Sequence, residues 1–188
     1  MSQTKILFID ETYLRSTCEY DLNIDSKLIL PSIAKAQDKY ILQILGTGLY
    51  NEITNQISGG TLSAANTLLL NEYIKICLAA YVVYKSVFPM RFRFTAKGIQ
   101  VMKSEDSDPA DRKDVQDLKT ELLDDADYYA ERLTNFLIAN PSLYPLFVNP
   151  GSSFDTVIPN NNNYTGGFYP AYGSGKRTGK YRFDKPDE

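Results

Sequence analysis

Lys176, Arg177, Lys180 and Arg182, interleaved with Tyr181 and Phe183, form a compact cationic, aromatic run. Such a run can hold phosphates while its rings stack on bases. It overlaps GSGKRTGK, residues 173–180, which looks at first like a phosphate loop. A Walker A loop needs Gly five positions before its Gly-Lys and Ser or Thr after it. Here residue 170 is Pro and residue 177 is Arg, and no helix is expected to follow. GTGLYN at 46–51 lacks the third glycine of a dinucleotide fingerprint and follows a helix, not a strand. Glu105, Asp106, Asp108, Asp111 and Asp114 are clustered, but position 110 is Ala and the turn glycine of an EF-hand is missing. Asn163-Tyr164-Thr165 matches a glycosylation sequon by coincidence, given no secretory leader.

Histidine is absent. That removes the commonest general base near neutral pH and the commonest metal ligand. Ser/His/Asp, Cys/His and HExxH sites are therefore impossible. We read no catalytic residue, no cofactor and no metal site, and the chain is not expected to be an enzyme. Cys18 and Cys77 form no CxxC and are expected to be reduced, Cys77 as a small core hydrophobe. The net charge of -3 lacks the basic excess of a free-standing nucleic-acid binder. The apolar run ICLAAYVVY is about half the length of a membrane span, so a soluble, intracellular product without a membrane partner is expected.

The elements that would position these residues are mainly helical. Asp10 caps a single turn after a strand-like opening. DSKLILPSIAKAQDKYILQILG repeats Leu30, Ile33, Ala34, Gln37, Ile41, Ile44 and Leu45 at helical spacing. Gly46 is placed to end that helix. Thr47 can cap a short second helix with Leu49, Ile53 and Ile57 on one face, ended by SGG at 58–60. Thr61 or Ser63 caps a long third helix, apolar over most of its surface and therefore central, which Pro89 stops. RFRFTAKGIQVMKS alternates Phe92 and Phe94 with Arg91 and Arg93 around a glycine, the pattern of a hairpin or extended arm over about 89–107. Asp108 caps the last long helix with Pro109 at its first position. That helix runs to Ala139 with Val115, Leu118, Leu122, Ala126, Tyr129, Leu133 and Leu137 as its stripe. The expected architecture is mainly α: a bundle of three to four main helices, a small β-like arm and an extended C-terminal tail. The body spans 1–147 and the tail 148–188.

The tail is rich in Asn, Gly and Tyr and poor in aliphatic residues. Ordering it costs more conformational entropy than its rings recover by burial on a small body. Phe154, Tyr164, Phe168, Tyr169, Tyr172, Tyr181 and Phe183, spaced by Gly and Pro, suit an extended chain that drops anchors into a partner's pockets.

AKAQDKYILQILGTGLYNEI, residues 34–53, joins Ala-Gln-Asp on a first helix to Leu-Gly-x-x-Leu-Tyr at the turn into a second. Through Ala36, Gln37, Asp38, Leu45, Gly46, Leu49 and Tyr50 the chain resembles the head–tail connector proteins of tailed bacteriophages, also called adaptor or head-completion proteins, and more narrowly the ring proteins of crAss-like phages. The likeness covers residues 20–147, including the order of helices and the NPSLYPLF ending. It implies a dodecameric ring beneath the portal protein in the neck of the virion, built in the host cytoplasm. DNA passes through its centre without sequence recognition, and the far face meets the next tail or ring protein. Gln37 and Tyr50 are read as residues that define the helix hairpin, with ring contacts made by helix faces and the arm at 91–103. The alternative is a nucleic-acid-binding accessory protein using the basic tail, with steep salt dependence.

Overall fold

The computed structural model describes residues 5–18, 20, 24–96, 98–101, 111–151 and 155–159. The described chain is mainly helical with one small antiparallel sheet, as the hydrophobic periodicity predicts. Helix α1, Glu11–Thr17, starts where Asp10 accepts a hydrogen bond from the Tyr13 amide. Helix α2, Ser26–Ala36, is capped by Asp25 and buries Ile29, Ile33 and Ala36 on one side. Pro31 sits inside α2, farther from its start than a first-turn proline. The carbonyl of Lys27 therefore has no i+4 amide to accept from.

A π-helical turn, Gln37–Ile41, joins α2 to α3, Leu42–Gly59. The wide turn inserts one residue, and the buried positions run in steps of four through Ile33, Gln37, Ile41, Leu45 and Leu49. The same device recurs between α4, Ala64–Leu69, and α5, Lys75–Arg91, where the π turn Leu70–Ile74 places Leu69 and Ile74 five apart in the core. Ser63 is the cap of α4, and Gly60 in the left-handed conformation ends α3.

Helix α5 is the axis of the fold, packed between α2 and α6, Arg112–Ala139. Ala64–Arg91 is long and apolar enough by length and composition to cross a membrane, more than the ICLAAYVVY run suggested. In this fold it is the core helix: Leu69, Ile74, Leu78 and Val82 have no exposed surface. Polar pairs far apart in sequence tie the layers. Tyr20 and Ser86 share a hydrogen bond of 2.6 Å, and Tyr81 donates to Asp127 at 2.7 Å. The short α7, Pro145–Val148, buries Phe147, and Tyr144 just before it donates to the Ala65 carbonyl at 2.8 Å.

Three expectations are corrected. Pro89 does not stop α5, which runs on to Arg91. With only two residues beyond it, the proline costs the helix a single backbone bond at a terminus that is already fraying. The last long helix begins at Arg112 under an Asp111 cap; Asp108 and Pro109 lie outside the described residues. Finally, the body does not end at 147. Pro150 lies against Gly48, and Asp155–Pro159 run along the turn at Gly46–Thr47.

Candidate subunit interface

The motif residues of the first hairpin gather around one buried amide. Gln37 has no exposed surface, and it sits on the π turn facing the N-terminal segment. Its Oε1 accepts from the Phe8 amide at 2.9 Å, and its Nε2 donates to the Ile6 carbonyl at 3.0 Å and to the Tyr50 hydroxyl at 2.8 Å. A backbone amide can only donate and a carbonyl only accept, so this network fixes the orientation of the side chain. The Tyr50 ring packs on Phe8 with centroids 5.1 Å apart, and burial pushes its phenol above the ordinary range. Asp38 pairs with Lys5 on the surface. Ala36, Leu45 and Leu49 are core residues beneath. Together Gln37, Asp38 and Tyr50 lock residues 5–9 onto the hairpin.

Gly46 does the same for the other end of the chain. Its φ of 72° and ψ of 162° belong to a region open in practice to glycine alone. A Cβ there would stand 2.5 Å from Pro159 Cδ. Two helices meet across this kink, as the glycine predicts, but the Thr47 hydroxyl is taken up by the far segment and not by a helix amide. That hydroxyl accepts from the Val157 amide at 2.8 Å while the Thr47 amide donates to the Val157 carbonyl at 3.1 Å. The pairing needs both partners and is invisible in either local sequence.

The arm is a hairpin of β1, Phe92–Thr95, and β2, Gly98–Val101. Phe92 opposes Val101 and Phe94 opposes Ile99, while Arg93 opposes Gln100. Alternation therefore gives the ribbon one apolar face and one polar face. Phe92 is half-buried against Phe88 at 5.1 Å. Phe94 is 78% exposed, Ile99 65% and Phe88 52%. Arg91 lays its guanidinium over the Phe92 ring at 5.4 Å and donates to the Asp111 carbonyl at 3.3 Å, fixing the base of the arm. Beside it, Leu28, Ser32, Lys35, Lys85, Phe88 and Pro89 line an open groove of about 670 Å³.

Phe154, Tyr164, Phe168, Tyr169, Tyr172, Lys176, Arg177, Lys180, Tyr181, Arg182 and Phe183 lie outside the described residues. Among the described residues no three Cys, Asp or Glu side chains gather as a metal cage. Sequence reasoning passed over Thr47 and Lys5 as contact-making residues. It also passed over the π turns at Gln37–Ile41 and Leu70–Ile74.

A helical body with a projecting amphipathic ribbon belongs to the class of mainly α proteins whose most distinctive exposed feature is an apolar surface. The chain belongs to a family of unknown function, DUF6712, whose model matches residues 41–156. That span takes in the arm and only the start of the segment docked at Gly46–Thr47. No curated protein and no solved structure matches the chain.

Proposed function

We propose that this chain is a structural virion protein that assembles into a ring joining the portal protein to the tail and lining the DNA channel. The observation that carries the reading is the arm. It shows Phe94, Ile99 and Val101 to solvent on a two-stranded ribbon, and an isolated two-stranded hairpin is marginal in water. Contiguous exposed apolar surface of this kind marks an interaction site. The body beneath needs no partner, since its core is continuous from Phe8 to Phe147. The likeness of residues 34–53 to phage connectors supplies the identity of the partners: further copies of the chain, the portal protein and the next tail or ring component. DNA passes the lumen without base recognition, and no catalysis enters the function.

The mechanism is assembly by burial. A ring interface in the obligate range covers about 2,000–5,000 Å², far more than one arm supplies, so helix faces contribute as well. Electron microscopy and mass photometry of the purified protein, alone and with portal, test the reading. Rings, or rings stacked on portal, are expected. Dispersed monomers that never join a portal refute it.

A further inference from the structure

The apolar stripe of α6 runs out from under its cover. Leu133, Leu137 and Ala126 are buried, whereas Leu122 and Tyr129 are half-buried and Leu118 is 47% exposed. Here α6 meets Ala80 and Val83 of α5 and Thr17 and Cys18 at the end of α1, and together they line a groove of about 420 Å³. Its floor is apolar, and among the described residues its charged lining is Glu121 and Asp125, with no basic side chain.

The arm has the opposite character. From Arg91 to Val101 the sequence is RFRFTAKGIQV, with three cationic residues and no acidic one. Its apolar face, led by Phe94 and Ile99, is uncovered among the described residues. Two arms paired with each other would set these like charges side by side, which is unfavourable. An apolar, cationic ribbon meeting an apolar, acid-lined groove matches both hydrophobicity and charge.

We infer that the arm of one copy seats in the α1–α5–α6 groove of the next, with Phe94 and Ile99 on its apolar floor and Arg93, on the ribbon's opposite face, reaching over the edge of the ribbon toward Glu121 and Asp125. The inference rests on the ring reading above and assigns its interface. Arm and groove are different surfaces and every copy carries both, so the contact runs head to tail. Contacts of that kind close into rings or continue as filaments, and do not stop at a two-fold dimer.

Cys18 makes the contact testable in the full-length protein. It lines the groove, whereas Cys77 is fully buried. Phe94→Cys or Ile99→Cys places a second thiol on the exposed arm. Treatment of assembled protein with a short bis-maleimide is expected to give a ladder of covalent multimers that disappears when Cys18→Ser is added. Independently, Arg93→Glu is expected to lower the assembled fraction at fixed concentration at least about tenfold. Glu121→Arg with Asp125→Arg does the same, and all three changes together restore assembly. Rings that form without a ladder and ignore the charge changes overturn the arm-in-groove contact while leaving the ring intact. A cross-link from the arm to portal, and not to Cys18, also overturns it by assigning the arm a different acceptor. A protein that forms no ring under any condition overturns both this contact and the function proposed above.

Discussion

Gln37→Leu isolates the clamp that holds the N-terminal segment. Leucine is close to glutamine in bulk, so the change removes polar atoms without opening a large cavity. Three hydrogen bonds of 2.8, 2.9 and 3.0 Å are lost. Ile6 and Tyr50 are half-buried and can turn to water, whereas Phe8 is buried and its amide is stranded. Two ordinary bonds are worth about 1 kcal/mol each, and a buried orphan amide costs about 1–3 kcal/mol. The sum is about 3–5 kcal/mol. For a chain of this size it corresponds to a melting temperature lower by roughly 6–20 °C, at about 2–4 °C per kcal/mol. If residues 5–9 peel away before the body melts, the loss is read locally. Hydrogen exchange at the Phe8 amide then rises by about two orders of magnitude or more, since each 1.4 kcal/mol is about a factor of ten. Calorimetry and exchange mass spectrometry on the same variant separate the two routes. An unchanged melting temperature together with unchanged protection at Phe8 refutes the clamp.

Three further outcomes are expected. Gly46→Ala forces a side chain into a glycine-only backbone region and onto Pro159, so it destabilises by about 1–3 kcal/mol or more; limited proteolysis should then cut within 155–159 sooner than in the parent, and equal cutting rates count against the docking. A chain ended after Pro159 keeps the parent's melting temperature within about 2 °C, whereas one ended after Asn149 loses the Val157 pairing and melts measurably lower. Stability is flat through neutral pH and falls as pH rises from about 9 toward 12, because burial pushes Cys77 and Tyr20 up to about 12 each. The unfolded chain sheds those protons first, so each group adds a slope of up to about 1.4 kcal/mol per pH unit. Denaturant midpoints measured against pH for Tyr20→Phe with Cys77→Ala should show a shallower decline.

Much of the fold was legible because it is written locally. Asp10 and Ser63 cap helices as their types predict, Gly60 ends one, and the alternation from Phe92 to Thr95 is a strand with two faces. What escaped was of two kinds. The π turns each insert one residue without changing the composition of the buried pattern, so periodicity still reads helix while the partner faces rotate. Contacts such as Tyr20 with Ser86, or Thr47 with Val157, join residues 66 and 110 apart in the chain, and nothing near either partner announces the other. The candidate site divides the same way. The arm was visible as a pattern, and Gln37 and Tyr50 as a spacing. Their shared role in fixing residues 5–9 needed the third dimension. The tail boundary was misplaced because Gly- and Pro-rich composition looks alike whether a strand of chain floats or lies against a glycine turn.

The pairing of Thr47 with Val157 also has a bearing on how the protein is made. At a ribosomal pace of about 5–20 residues per second, the 110 residues between them take roughly 6–20 s to emerge. Throughout that interval the bend at Gly46 has been translated but lacks the strap that covers it. Completion of that helical corner therefore waits on a stretch 110 residues downstream. Nascent chains stalled or truncated before residue 157 expose that corner to chaperones or to neighbouring copies.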